Sequence, residues 1–71
     1  MEKYLVKVTL FDGNEYYVCK GFFTKYTLDS NISNGIHFDL KEANAVSQEF
    51  KKYYPEYEVR LSKVDYEKEE F

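Results

Sequence analysis

Residues 38–55 read FDLKEANAVSQEFKKYYP, and this stretch decides the fold because it predicts one helix with a clear start, face and end. Asp39 is a helix-capping residue type, and Glu42 three positions later completes a capping-box pattern. Pro55 ends the helix, because proline lacks a backbone donor and disfavours helical geometry in the residue before it. At about 100° per residue, one arc collects Leu40, Ala43, Val46, Ser47, Phe50, Tyr53 and Tyr54. We therefore expect a helix from Leu40 to about Tyr54 with this arc packed on a sheet.

Strands are predicted on both sides of the helix. Residues 4–11 alternate with period 2, as a half-buried strand does, and the apolar face is formed by Tyr4, Val6, Val8 and Leu10. Asp12-Gly13-Asn14 is a hairpin signal, so residues 15–20 return as a second strand. Residues 22–28 are aromatic and rich in β-forming residues, which leaves open whether they form a third strand. A last strand follows the helix with Tyr57, Val59 and Leu61, and the slip of phase to Val64 and Tyr66 indicates a bulge or the end of pairing.

The order of these elements is ββ(β)αβ. It predicts an α+β two-layer sandwich, with a three- or four-stranded, mostly antiparallel sheet and one helix packed on one face. The expected layout places the first strand between the second and the last, with the third at the far edge. A strand–helix–strand connection also favours a last strand parallel to the strand before the helix. We expect a single domain over residues 1–66 and a charged, frayed tail over residues 67–71.

Composition argues against several classes of protein. The chain has 71 residues with 13 acidic and 10 basic side chains, and its net charge of −3 argues against a duplex-DNA binder or a polybasic membrane anchor. One cysteine cannot form an internal disulfide, and no Cys/His cluster has the spacing of a zinc site. No stretch reads as a signal peptide or a membrane span, so we expect a cytoplasmic protein without membrane association.

The side chains that can perform catalysis form no recognisable set. Cys19 and His37 are the only residues of their kinds, and their spacing gives no support for a nucleophile–base pair. The three glycines form neither a phosphate-binding loop nor a dinucleotide fingerprint. Most carboxylates fall on the outer helix face or in the tail, where solvation explains them. We predict that the chain is not an enzyme and has no catalytic, cofactor-binding or metal-binding residues.

Aromatic side chains are the unusual feature of the sequence. Eight tyrosines and six phenylalanines make up 20% of the chain, more than the thin core of so small a domain can bury. One interpretation is that tyrosine is amphipathic filler with its hydroxyl in water. The other is that the sheet face away from the helix exposes an aromatic patch of the kind found at protein interfaces. The candidate partner-binding residues are Tyr16, Tyr17, Tyr26, Tyr57 and Tyr66.

The aromatic surplus supports three functional hypotheses. We favour a non-enzymatic protein-binding module that also forms a symmetric homodimer, through the open sheet face or an edge strand such as the last one. The alternative is a single-stranded nucleic-acid binder that stacks bases on Tyr17 and Phe11 beside Lys7, for which the acidic net charge is unfavourable. The third is a structural or assembly accessory protein.

Three parts of the sequence carry a resemblance to a known class of proteins. They are the strand of residues 4–10 with its Asp12-Gly13 turn, the helix start at residues 38–43, and the helix-to-strand corner at residues 53–59. In these features the chain resembles small, uncharacterised accessory proteins encoded by phages and prophages of Gram-positive bacteria. The resemblance implies a modulator or inhibitor of a bacterial protein, including defence proteins, that acts in the cytoplasm of the bacterial host. It assigns no individual functional residue.

Overall fold

The computed structural model describes residues 2–64 of the chain. The elements in this range are, in order, β1 (Tyr4–Thr9), β2 (Glu15–Lys20), β3 (Tyr26–Asp29), a 3-10 turn (Ile32–Asn34), α1 (Leu40–Tyr53) and β4 (Glu58–Lys63). The four strands form one sheet in the order β3-β2-β1-β4, and each neighbouring pair is antiparallel. The predicted α+β arrangement with one helix against the sheet is confirmed. The expected strand order is also found, and the uncertain third strand exists over residues 26–29.

The direction of the last strand differs from the expectation. β4 pairs antiparallel with β1, with Val59 opposite Val8, and therefore runs opposite to β3. The cause is a short extended segment, residues 36–38, that lies between β3 and the helix. Phe38 exchanges two backbone hydrogen bonds with Tyr4, at 2.7 and 2.8 Å, so this segment is antiparallel to β1 and parallel to β4. The helix does connect two parallel segments, but the first of them is residues 36–38 and not β3.

The same extended segment separates β1 from β2 at one end of the sheet. Beyond the short β1–β2 ladder, the carbonyl of Val18 accepts a hydrogen bond from Ile36 N at 3.0 Å. Gly35 lies just before this bond and leaves no room for a side chain. A β-carbon at position 35 would lie 2.7 Å from Leu5 Cδ2 and 3.2 Å from Tyr17 Cβ. Glycine at this position therefore permits the close approach of the chain to the sheet.

The core lies between α1 and one face of the sheet. Val6, Val8 and Val18 are fully buried, and the rest of the buried cluster is Phe38, Ala43, Val46 and Val59. α1 packs mainly on β1 and β4, which form one half of the sheet. Because the helix is centred on that half, the half of the sheet formed by β2 and β3 extends beyond the helix. A groove forms there between α1 and β3.

The two ends of α1 set the direction of the chain around this groove. Asp39 caps the helix as predicted, since its Oδ1 accepts a hydrogen bond from Glu42 N at 2.7 Å. The last helical residue is Tyr53, and the N–H of the following Tyr54 donates to Phe50 O at 2.8 Å. Tyr57 N then donates to Tyr54 O at 3.0 Å, which closes a tight turn. This turn returns Tyr57 to the side chains at the end of the helix.

Candidate functional site

The candidate site is a groove between β3 and the second half of α1, with a volume of about 500 Å³. We call it the aromatic groove. The strand side is formed by five consecutive residues, 24–28, and both alternating sets of side chains therefore border it. The groove thus follows the outer edge of β3 as well as its helix-side face. The opposite side is formed by Glu49, Phe50, Tyr53, Tyr54 and Tyr57.

Four aromatic rings form a continuous row beside the groove. Phe11 meets Tyr57 edge-on at a centroid distance of 5.5 Å, and Tyr57 stacks on Tyr54 at 5.4 Å. Tyr54 in turn lies 5.9 Å from Phe50. Each pair of this kind contributes about 0.5–1.5 kcal/mol beyond the area it buries. The row therefore holds the wall of the groove in a fixed arrangement, which lowers the entropy lost when a partner binds.

The remaining aromatic side chains of the groove are more open to solvent. Tyr53 is 64% exposed, although it belongs to the apolar arc of the helix. Tyr26 is half-buried, and its ring meets Phe38 edge-on at 5.8 Å. These two rings differ in their packing. Tyr26 anchors the strand to the core, whereas Tyr53 is held by few neighbours and is available for contact with another molecule.

Charged side chains occupy both sides of the aromatic groove. On the strand side, Lys25 Nζ lies 5.5 Å from the centroid of the Tyr26 ring, and next to the helix side Lys52 Nζ lies 5.9 Å from that of Tyr53. Exposed cation–π contacts of this kind contribute about 0.5–1 kcal/mol. Glu49 adds a carboxylate to the helix side. The groove therefore offers apolar ring area together with charges of both signs.

Two fully exposed phenylalanines precede the strand side of the groove. Phe22 and Phe23 lie in the loop between β2 and β3 and are 97% and 101% exposed. The loop is closed by the Gly21 N to Lys25 O hydrogen bond at 3.3 Å. Thr24, the next residue, is the first that lines the groove. Large exposed apolar side chains next to an aromatic groove are typical of an interaction surface.

The structure separates the tyrosines that the sequence predicted as partner-binding residues. Tyr26 and Tyr57 line the aromatic groove. Tyr16 is half-buried in β2 opposite Val8 and so shares the helix-side face, while Tyr17 is half-buried on the other face opposite Lys7. Tyr66 lies outside the described residues. The expected aromatic patch on the open sheet face is therefore wrong for residues 2–64, because only Tyr17 among the strand aromatics points there.

Several residues of the groove were not predicted as site residues. Phe50, Tyr53 and Tyr54 fall on the apolar arc of the helix, and the sequence predicts that Phe50 packs on the sheet. The helix packs mainly on β1 and β4, so the end of this arc borders the groove, where Phe50 also packs against the core cluster and Tyr53 and Tyr54 are exposed. One signal was available in the sequence, because three aromatic residues in the last turns of one helix exceed what a single thin sheet can cover.

Of the side chains named for nucleic-acid stacking, Lys7 and Tyr17 lie together and Phe11 lies apart from them. Lys7 and Tyr17 are cross-strand neighbours, but Lys7 Nζ is paired with Glu15 Oε1 at 3.7 Å. Tyr17 also lies opposite Asp29 on its other side, and the ring of Phe11 packs on Tyr57. Two carboxylates next to the stacking platform oppose a phosphate backbone.

The single cysteine is buried in β2. Burial raises the pKa of the Cys19 thiol, and the negative charge of Asp29 raises it further, so the thiol stays protonated and weakly nucleophilic. His37 is exposed in the segment before the helix. Within residues 2–64, no group of three or more His, Cys, Asp or Glu side chains is arranged to hold a metal ion. Over the same residues, no helix has the length and apolar character needed to cross a membrane.

No protein-family model, curated protein or solved structure matches this chain.

Proposed function

We propose that the chain is a small, non-enzymatic protein-binding module and that the aromatic groove is its binding surface. The observation that carries this proposal is the fixed row of Phe11, Tyr57, Tyr54 and Phe50 beside the exposed ring of Tyr53. A pre-ordered aromatic wall buries ring area on binding at low entropic cost, as interface hot spots do. The proposal assigns no catalytic residue, cofactor or metal to the chain.

The chemistry of the groove indicates the kind of partner surface it accepts. Its ring faces favour aromatic or aliphatic side chains, and Lys25 and Glu49 offer one charge of each sign at its borders. The resemblance to phage accessory proteins supports a bacterial or phage protein as the partner, met in the cytoplasm of the bacterial host. In this proposal, binding blocks or redirects that partner.

Self-association is a second part of the proposal. A domain of this size with exposed aromatic side chains gains stability when two copies cover them. The homodimer does not depend on the identity of any other partner, and it can be measured with the purified chain alone.

The test of the binding role is capture of a partner from bacterial lysate by the tagged full-length chain, with and without nuclease treatment. Tyr53→Ala is the informative variant, because a 64% exposed ring can be removed without opening the core. Tyr17→Ala is the matched control, since it removes a tyrosine ring from the opposite face of the sheet. We expect a stoichiometric, nuclease-resistant protein band that Tyr53→Ala weakens and Tyr17→Ala retains.

Two results would contradict the proposal. One is recovery of nucleic acid alone, lost on nuclease treatment and sensitive to Tyr17→Ala, which supports the single-strand binder instead. The other is a captured protein whose binding is unchanged by Tyr53→Ala and by a second groove variant, Tyr57→Ala. Salt gives an independent measure, because phosphate-driven binding weakens steeply as salt rises whereas an aromatic interface responds little.

A further inference from the structure

The outer edge of β3 has backbone groups that face away from the sheet. In an antiparallel ladder, residue pairs alternate between those that exchange hydrogen bonds and those that do not. The bond from Gly21 N to Lys25 O sets the phase of the β2–β3 ladder, so the N–H and C=O of Tyr26 and Leu28 point away from β2. Val18 lies opposite Leu28 in this ladder, and its carbonyl accepts a hydrogen bond from Ile36 N and not from β3. The pair of Val18 and Leu28 is therefore one that does not exchange hydrogen bonds.

The free edge is also marked by a local hydrogen bond. Thr24 Oγ1 donates to the outward carbonyl oxygen of Tyr26 at 2.6 Å, and the second lone pair of this oxygen can still accept a donor from another strand. Within residues 2–64, no strand lies on the outer side of β3. An unpaired edge of this kind is a template for an added strand.

The sequence of this edge is complementary to itself. Residues 25–29 read KYTLD, and a two-fold axis at Thr27 places Lys25 of one copy opposite Asp29 of the other. Tyr26 then lies opposite Leu28 of the second copy, and Thr27 lies opposite itself. Because Tyr26 and Leu28 are the residues with outward backbone groups, this register also forms the hydrogen bonds of an antiparallel ladder.

We propose that two copies of the chain associate by antiparallel pairing of their β3 strands about a two-fold axis at Thr27. This inference rests on the proposed self-association and gives it a surface, a register and a charge pattern. The Asp29 carboxylate accepts hydrogen bonds from Asn31 N at 2.8 Å and Asn34 Nδ2 at 3.2 Å, and each of its oxygens keeps lone-pair capacity for a further donor. Among residues 2–64, the ion pairs involve neither Lys25 nor Asp29, so both charges are available to a second copy.

The other registers of β3 lack this complementarity, and the other sheet edge gains no new charge pair when it pairs with itself. An axis at Tyr26 places Lys25 opposite Thr27, and an axis at Leu28 places Asp29 opposite Thr27, so neither pairs opposite charges. On β4, an axis at Arg60 places two arginines opposite each other, whereas an axis at Val59 places Glu58 opposite Arg60, two side chains that already pair within one copy at 2.8 Å. Like charges in directly opposite positions are destabilising. Self-pairing of β4 is therefore opposed in one register and gains no new charge pair in the other, whereas the Thr27 register of β3 forms two ion pairs between the copies.

Pairing at β3 also changes the aromatic groove. It creates a continuous sheet of eight strands, four from each copy. Tyr26 and Leu28 lie on the helix-side face, so the floors of the two grooves join across the axis into one trough between the two helices. The dimer therefore covers apolar surface that the single chain leaves in water.

Charge exchange across the axis tests this proposal with the full-length chain in sedimentation or light-scattering experiments. We expect the native chain to dimerise, and we expect Lys25→Glu and Asp29→Lys each to raise the dimer dissociation constant by about tenfold or more. An equimolar mixture of the two variants should restore dimerisation to the native level, because each copy then supplies the charge that the other lacks. Lys41→Glu, a charge reversal at the exposed start of α1 and away from the aromatic groove, is the matched control and should leave the dimer intact.

A backbone variant provides a second measurement. Leu28→Pro removes one outward N–H and none of the β2–β3 hydrogen bonds, so it should abolish dimerisation, while Leu28→Ala tests the loss of the side chain alone. A native chain that stays monomeric into the millimolar range would overturn the proposal. So would a dimer that both charge reversals leave unchanged, or variants that do not recover when mixed. The dimer and partner capture can fail separately, because Tyr53 and Tyr57, whose variants should weaken capture, lie outside β3.

Discussion

The ring of Tyr54 lies parallel to the ring of Tyr57, with 5.4 Å between their centroids and an angle of 12° between their planes. The two residues flank the turn that ends α1 and starts the approach to β4, and Tyr57 N donates to Tyr54 O at 3.0 Å within that turn. The stacked pair therefore joins the end of the helix to the sheet. It also forms part of the wall of the aromatic groove, so stability and binding depend on the same contact.

We expect this pair to contribute a measurable coupling to the free energy of unfolding. Tyr54→Ala and Tyr57→Ala should each destabilise the chain, and the double variant should lose less than the sum by about 0.5–1.5 kcal/mol. Chemical denaturation of the four proteins in the cycle measures this coupling. Tyr53→Ala combined with Tyr57→Ala is the control, because no stacking joins those two rings, and its effects should add.

A second prediction concerns the close approach of Gly35 to the sheet. Gly35→Ala places a β-carbon 2.7 Å from Leu5 Cδ2, and Leu5 is buried, so we expect a loss of about 1–3 kcal/mol in the free energy of unfolding. The backbone at Gly35 has φ of −68°, so strain in the backbone does not contribute. Leu5→Val removes the opposing methyl group and should recover part of the loss in the double variant.

Gly13→Ala is the comparison for that prediction. Gly13 has φ of +85° and no atom within 4 Å of the position of a β-carbon, so its cost comes from the backbone alone, about 1–2 kcal/mol. Leu5→Val should therefore not recover it. Equal recovery of both glycine variants by Leu5→Val would contradict the steric explanation for Gly35.

The parts of the fold that the sequence predicted are those set by local chemistry. Asp39, Pro55 and the periodic apolar arc between them specify the helix, and the Asp12-Gly13-Asn14 turn specifies the first hairpin. The direction of β4 depends on a non-local event, the pairing of Phe38 with Tyr4. Period and turn signals do not report that three residues will pair with a strand more than 30 positions away, so this reversal could not be predicted.

The candidate site was predicted less well than the fold, for a related reason. The number of aromatic residues follows directly from the composition. Where their side chains lie depends on how far the helix extends across the sheet. Because α1 packs mainly on β1 and β4, Tyr53 is exposed beside the groove, whereas Tyr16 and Tyr17 are half-buried in a strand. Leu40, expected on the core side, is exposed at the first turn of the helix.

A third prediction tests the face of α1 that packs on the sheet. Val46→Asp places a charge without a partner among buried valines, and we expect a loss of about 3 kcal/mol or more in the free energy of unfolding. Ala45→Asp is the matched control, since position 45 is exposed on the same turn. It should cost only the difference in helix propensity, about 0.7 kcal/mol. Similar losses in the two variants, measured by thermal or chemical denaturation, would contradict the packing of this face.

The last prediction concerns the buried thiol of Cys19 and its dependence on pH. Burial, with the Asp29 charge as a second cause, raises the pKa of Cys19 in the folded state above the ordinary value of a thiol. The folded state therefore favours the protonated thiol, and this preference contributes to the free energy of unfolding. The contribution is fully present below the pKa of the thiol in the unfolded chain, and it is lost as pH rises through the pKa of the thiol in the folded state. Cys19→Ser does not titrate in this range, so the stability difference between the native chain and this variant should shrink across that alkaline window.

The rate of alkylation is a second measurement of the same property. A thiol reagent at mildly alkaline pH should modify Cys19 in the folded chain far more slowly than in the unfolded chain. Equal alkylation rates in the two states, or a stability difference that does not change with pH, would show that the thiol is not held protonated by burial.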